Sequence, residues 1–389
     1  MFKKLREYDF RKFDLGLLIS AILLGAVGAY LLRIIPGVKN PEAASLKQLF
    51  GVFAGVCLAI FVAMFDYHFV AKFFVPLYLF NLVLLIMVKF TRFGISVYDA
   101  KRWFGIKEVF QFQPSELTKV IMLVVIAKLF DLLKERLHKF STLLIVGIVM
   151  AVPTGLILIQ TDLSTSIVLF GSFIVMVFAS GFSIKILAIL SAILVPTVYG
   201  LFWYILQPDN IFIELKILKP YQQKRILSLL YPDQFPELLY QQENAVEAIS
   251  SGGLMGKTFT GDTGVRGTAY VPVVESDFIF TGIGEEFGFL GAALVILLFT
   301  FMVFRIMLVA KRSKDIMGKV IATGAGAILM FQTFINIGVV SMLLPNTGIP
   351  LPFVSSGLSS VVGCYSMLGL VLNIAINTGK QQTQTKRMF

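Results

Sequence analysis

The segment Val274–Phe304, VESDFIFTGIGEEFGFLGAALVILLFTFMVF, sets Glu275, Asp277, Glu285 and Glu286 at the entrance of an apolar run long enough to cross a bilayer. Carboxylates at such a depth persist when they are paired, wet or chemically in use. Asp277 admits two readings: a cap that accepts N–H bonds from the helix behind it, or a general base in a partly dehydrated external cleft. Glu285 and Glu286 follow about two helical turns deeper. One of them is expected to face the bundle interior and pair with a cation, the other to stay solvated.

Four further constellations could support such chemistry. In FQFQPSELTKV, Pro114 suits a first helical turn, and Glu116 and Lys119 stand three apart on one face. Neither charge is stable alone in lipid, so an internal ion pair is expected, either structural or lending its field to a nearby site. Upstream, AKRWFG places Lys101 and Arg102 beside Trp103. The indole would anchor depth at the interface, and the two cations could hold an external anion such as pyrophosphate. QTDLSTS offers Asp162 as the N-cap of the following span. Last, LLPNTGIPLPFVSSGLSS carries Pro345, Pro350 and Pro352, which forbid continuous helix. A stiff re-entrant turn is expected there, with Ser355, Ser356, Ser359 and Ser360 satisfying freed backbone groups. Gln332 and Asn336 inside the preceding span should bond between helices.

The elements that must position these groups are membrane helices. The 389-residue chain is 57% hydrophobic and 15% charged, against about 25% charged in ordinary soluble domains. Apolar segments fall at about 13–32, 48–65, 71–90, 117–132, 141–160, 163–180, 184–206, 283–310, 320–343 and 354–376. The fold expected is an all-α polytopic bundle of ten transmembrane helices, one domain spanning 1–389, with a large external loop at about 207–282 between helices 7 and 8. Lys3, Lys4, Arg6, Arg11 and Lys12 place the N-terminus in the cytoplasm. The turns with Lys134, Arg136, Lys139 and with Lys311, Arg312, Lys314 then also fall inside, as does the C-tail with Lys380, Lys386 and Arg387. A short external loop bearing Lys89, Arg92, Lys101, Arg102 and Lys107 breaks this charge rule. Snorkelling or an anion-binding surface would account for it.

The net charge of +11 suits anionic headgroups rather than nucleic acid. Cys57 and Cys364 lie in apolar runs without metal-ligand spacing, and His68 and His138 are too scattered for a histidine metal site. In the long loop, YQQENAVEAISSGGLMGKTFTGDTG should begin with a short surface helix over about 240–249 and continue through flexible glycines. Its SSGGLMGK lacks Walker spacing, which argues against nucleotide binding.

FQPSELTK, QTDLSTS, AISSGGLMGK, DFIFTGIGEEFGFLG and LPNTGIPLPFVSSGLSS, in this order and spacing, resemble the SEDS proteins, the RodA/FtsW/SpoVE family of bacterial cell-wall polymerases. The resemblance covers nearly the whole chain. It implies a peptidoglycan glycosyltransferase in the bacterial cytoplasmic membrane that acts on lipid II, alongside a class B penicillin-binding transpeptidase and other elongation or division proteins. The family's essential acid falls on Asp277, its paired charges on Glu116 and Lys119, its RRW element on Lys101, Arg102 and Trp103, and the Asp of its QPDLGT motif on Asp162. Glu285 and Glu286 match its GEE. The chain departs from the family where a PE dipeptide usually precedes the essential Asp: here Pro272 is followed by Val273.

With those roles, Asp277 would deprotonate the acceptor's 4-hydroxyl, and that oxygen would displace the donor's lipid pyrophosphate with inversion. Lys101 and Arg102, with Lys257 or Arg266 from the long loop, would balance the developing charge; a divalent cation (Mg2+ or Mn2+) could share that task. Two other classes fit the same residues: a lipid II flippase or other transporter, and a non-catalytic scaffold for the transpeptidase.

Overall fold

The computed structural model describes residues 9–97, 100–106, 110–183 and 220–377, with isolated positions between 185 and 207. Lys3, Lys4, Arg6, Lys107 and the C-tail cations lie outside the described residues, as does most of the seventh expected span. The other nine expected segments each coincide with a helix. These are α1 (Leu15–Ile34), α2 (Pro41–Met64), α4 (Phe74–Phe90), α5 (Pro114–Leu132), α6 (Phe140–Ile159), α7 (Leu163–Ala179), α10 (Ile279–Arg312), α11 (Ile316–Val340) and α12 (Leu358–Asn377). A short α3 (Tyr67–Ala71) joins α2 to α4, and the long loop contributes α8 (Pro220–Leu230) and α9 (Pro236–Ser251). Six helices, α1, α2, α6, α10, α11 and α12, are long and apolar enough to cross a membrane.

Start signals are visible in the sequence. Asp14, Asp162 and Asp315 each accept an N–H bond from the first turn of the helix they precede. Pro41 and Pro114 occupy first-turn positions of α2 and α5, where a missing N–H costs nothing.

Burial sorts the helices into two layers. The apolar windows of α11 and α12 are 78% and 89% buried, against 28% for α6 and α10. The outer helices present Phe50, Phe53, Phe61, Phe80, Leu297 and Phe304 at their surface. A soluble protein would not leave so much apolar area open, so these faces meet lipid. Without a hydrophobic drive between helices in lipid, association rests on close packing and buried polar bonds. Tyr365 of α12 seats on Gly55 of α2, and its hydroxyl donates to Ala21 O at 3.2 Å. At the end of the bundle remote from Asp277, His68 bridges Asp66 at 2.8 Å and Asp315 at 2.6 Å. Hydrogen bonds to those two carboxylates push the imidazole up to about 9, so it stays charged at neutral pH.

One expectation needs correcting. The fold is mostly helical but not all-α: the short cationic loop folds into an antiparallel sheet in the order β1 (Gly94–Val97), β2 (Ala100–Ile106), β3 (Phe110–Phe112). Ile95, Trp103, Phe104, Phe110 and Phe112 are the β-branched and aromatic types that favour a pleated surface.

Candidate active site

Asp277 lies two residues before α10, in a run of turns from Pro272 to Phe278. It does not cap that helix: Phe278 holds the N-cap position and no side chain closes it. The backbone around Asp277 is fixed from two sides. Asn336 of α11 donates to the Asp277 carbonyl at 2.8 Å and to Ile349 O at 2.7 Å. From the re-entrant segment, Ser355 Oγ donates to Ser276 O at 2.5 Å and Ser356 N to Glu275 O at 3.0 Å. The main chain is thereby satisfied while the carboxylate stays available. Ser276 Oγ donates to Asp277 Oδ1 at 3.2 Å, and among the described residues no cation stands within ion-pair distance. Burial pushes this half-buried carboxyl up to about 6, against the Ser276 bond and the Arg102 charge, which pull it down; the Asp162 and Glu275 charges add to the rise.

The re-entrant segment 341–357 supplies the floor. Gly348 has φ +67, and a Cβ there would lie 3.1 Å from Asp277 Oδ2, so a side chain would crowd the carboxylate. Gln332 holds the same segment at Pro350 O, 3.2 Å away, while its Oε1 accepts from Lys119 at 2.9 Å. Lys119 in turn pairs with Glu116 at 2.8 Å, both nearly fully buried. The expected internal ion pair is therefore present and props the floor through Gln332. It does not reach the cleft.

The sheet separates the two neighbouring cations, because successive strand residues point to opposite faces. Lys101 turns back and donates to Thr91 O at 2.7 Å, closing the end of α4. Arg102 points the other way and donates to the Thr161 carbonyl, while its Nε is buried without a partner. Trp103 pairs with Ile95 in the sheet and is half-buried. Arg102 lines a cleft with Thr161, Arg225, Asn346 and Thr347. Asp162 caps α7 through Thr165 N at 3.2 Å and accepts from Gln113 and Ser115, so it is buried and satisfied.

Glu285 and Glu286 are both buried, and both are engaged. Glu285 accepts from Lys257 Nζ at 2.6 Å, Gly267 N at 2.6 Å and Thr268 N at 2.9 Å. Glu286 accepts from Arg266 Nε at 2.9 Å and Thr258 Oγ1 at 2.7 Å. Lys257 and Arg266 thus fasten the long loop onto α10. Neither glutamate is solvated, because the loop folds over them. At Gly288, φ +63, α10 breaks, and the freed N–H groups of Phe289 and Leu290 donate to Gly253 O and Leu254 O at 2.9 and 3.1 Å. Gly256 lies against the Glu286 carbonyl with no room for a Cβ. The surface helix expected over about 240–249 is longer, Pro236–Ser251, and packs on α10.

Two groups were not singled out from the sequence. Arg225 shares the cleft with Arg102 and donates to Asn346 O at 3.0 Å. The basic pair in YQQKRILSLL, on an amphipathic helix, was the available signal. Gly348 was hidden among the prolines of its turn. Among the described residues, no group of three His, Cys, Asp or Glu could hold a metal ion.

A helical membrane bundle that leaves one carboxyl without a cation partner at its mouth, within the field of Arg102, defines the class: a polytopic membrane protein with a polar site at the end of its helices. The chain belongs to the FtsW/RodA/SpoVE family, described as cell cycle proteins, whose model matches residues 13–380. It is 29% identical to the probable peptidoglycan glycosyltransferase FtsW of Trichlorobacter lovleyi, over 95% of each chain. It is 30% identical to the probable peptidoglycan glycosyltransferase FtsW of Bacillus subtilis, covering 99% of this chain and 94% of that one. The peptidoglycan glycosyltransferase MrdB of Escherichia coli is 31% identical over 76% of each. Among solved structures, a chain of a peptidoglycan synthase complex superposes with TM-score 0.73 at 26% identity, covering 95% of this chain and 98% of that one. The Thermus thermophilus rod shape determining protein RodA shares the fold, with TM-score 0.64 at 24% identity over 95% and 96%.

Proposed function

We propose that this protein is a peptidoglycan glycosyltransferase that polymerises lipid II into β-1,4 glycan strands at the outer face of the bacterial cytoplasmic membrane. It would span ten times with both termini inside, and work with a class B penicillin-binding transpeptidase. The activity for which its relatives are named and the likeness to a chain of a synthase complex support this reading. One observation carries the site assignment: the backbone around Asp277 is held on both sides while its carboxyl is left unpaired at a pKa of about 6. A carboxylate that bonds and burial hold in place but no cation neutralises is poised to accept a proton.

In the proposed step, Asp277 takes the proton of the acceptor's 4-hydroxyl. That oxygen forms a bond to the donor's anomeric carbon as the bond from that carbon to the pyrophosphate oxygen breaks. The configuration inverts, and the lipid pyrophosphate departs with the electron pair. Pyrophosphate leaves readily, so no second carboxyl has to protonate it as in glycoside hydrolases. Arg102, with its unpartnered Nε, and Arg225 are assigned to the pyrophosphate, since guanidinium forks match its oxygens. Lys257 and Arg266 are assigned to loop anchoring, and Lys101 to the helix end.

The test is polymer formation from lipid II by detergent-purified protein. Asp277→Asn should lower the rate about 10²–10⁴-fold, and wild-type activity should rise as pH passes through about 6. Near-normal polymer from the variant would defeat the assignment. Lipid II transfer across vesicles by wild-type protein that makes no polymer would favour the flippase.

A further inference from the structure

The end of the bundle remote from Asp277 holds a constellation that the proposed chemistry does not use. A cavity of about 480 Å³ opens between the turn Phe10–Lys12, the start of α1, the last turns of α10 and the end of α12. Its walls carry Arg11, Lys12, Arg305, Arg312 and Lys314, with one carboxylate, Asp14. Asp14 is already committed. It caps α1 at Leu17 N, 3.1 Å away, and binds Arg305 through contacts of 2.9 and 3.0 Å. It therefore offsets one of the five cations and leaves four facing a common space. The crowding is felt: burial and the nearby Lys12 charge hold the Lys314 ammonium below its ordinary value.

The apolar part of the lining, Phe13, Val309 and Ala375, sits beside these charges. Leu15 and Phe304, sequence neighbours of Asp14 and Arg305, are 61% and 59% exposed on the lipid-facing surface. The cavity thus lies where the apolar belt gives way to a ring of cations. A soluble anion would need only the cations. An anion carrying hydrocarbon chains would also use the apolar rim, and basic pockets between membrane helices on the cytoplasmic side suit such headgroups.

We propose that this cavity binds the phosphodiester headgroup of an anionic phospholipid, which ties the start of α1 to the ends of α10 and α12. The guanidinium groups of Arg11 and Arg312 offer paired donors to phosphate oxygens, and the two ammonium groups add point charges, while Arg305 stays paired with Asp14. The bound lipid substitutes for the anion these cations otherwise lack, so it should raise the thermal stability of the whole protein.

The experiment uses the purified full chain in neutral detergent, with native mass spectrometry and thermal unfolding as readouts. Phosphatidylglycerol is compared with phosphatidylcholine and with inorganic phosphate. Phosphatidylglycerol should stay bound and raise Tm, while phosphatidylcholine does neither. The double variant Arg312→Glu/Lys314→Glu, at two exposed positions, should weaken phosphatidylglycerol retention about tenfold or more. Arg312→Lys should keep it, and Tm without lipid should not fall in either variant. Equal retention of the two lipids, or retention indifferent to the charge reversal, would overturn the proposal. So would stabilisation by phosphate alone to the same extent, which would make the site one for a free anion. Loss of a co-purifying partner protein in the charge-reversed variant, with lipid retention intact, would overturn it in favour of a protein contact.

Discussion

Asp277 and the pair Glu285–Glu286 stand within one short stretch of chain, yet their surroundings are opposite. The glutamates, both about two turns inside α10, receive a lysine, an arginine, a threonine hydroxyl and two backbone N–H groups. Asp277 receives one serine hydroxyl. The fold therefore supplies countercharge to two carboxylates and withholds it from the third. Where charge is matched, the result is a fastened loop; where it is not, the proton affinity rises toward neutrality. Residue type does not separate a structural acid from a reactive one here. The partners do.

The comparison breaks most visibly if Glu285 proves dispensable. Its side chain is fully buried, and Lys257 is only 8% exposed. Removing one partner of such a pair strands the other, at a cost of about 3–5 kcal/mol. Glu285→Ala should accordingly lower Tm sharply in detergent and open the loop 252–270 to proteolysis. The double variant Glu285→Gln/Lys257→Met should recover most of that loss, because no lone charge remains. If the single variant is as stable as wild type, the anchoring role is wrong.

Asp277 predicts the opposite sign. Its folded-state pKa of about 6 lies above the ordinary 3.8, so the charged form is disfavoured by the fold. The penalty is absent below pH 3.8, grows between the two values and is complete above pH 6. Asp277→Asn should therefore stabilise the protein by up to about 2–3 kcal/mol at pH 7.5 and by little at pH 4. The same change should lower polymer formation about 10²–10⁴-fold, so the most damaging substitution for activity is expected to be a gain for stability. A lower Tm at pH 7.5 would mean the carboxylate is held by a favourable partner, and the contrast with Glu285 would fail.

Much of this was legible before any coordinates. Apolar runs placed nine of the helices, because a membrane span must be long, apolar and internally bonded. The cap Asp162 and the first-turn Pro114 follow local rules, and the Glu116–Lys119 pair follows from helical spacing. The sheet escaped because its charges, Lys101 and Arg102, read as a cationic loop, while the alternation that parts them spans only a few residues. The destinations of Lys257 and Arg266 were illegible for a different reason. Each pairs with a glutamate 20 or more positions away across a glycine-rich loop, so no local period reports it. Arg225 and Gly348 belong to the same case: the cleft is built from parts distant in sequence, and only packing brings them together.

The smallest effect tests whether the unpaired acid is also held under strain. Val273, four residues before Asp277, has φ +57, a region that costs an L-residue about 1–2 kcal/mol and is harsher for a β-branched one. Its carbonyl accepts from Ser276 N at 3.2 Å, closing the turn that presents Asp277. Val273→Gly relieves the clash but frees the unfolded chain, and the net gain should be about 1 kcal/mol or less. If the turn aims Asp277, the looser glycine backbone should lower polymerisation several-fold while Tm rises slightly. A parallel rise in both would show that the strain does nothing for the carboxylate. Equal values for variant and wild type would place the aiming of Asp277 wholly with Asn336 and Ser355, whose bonds to the adjoining carbonyls do not depend on residue 273.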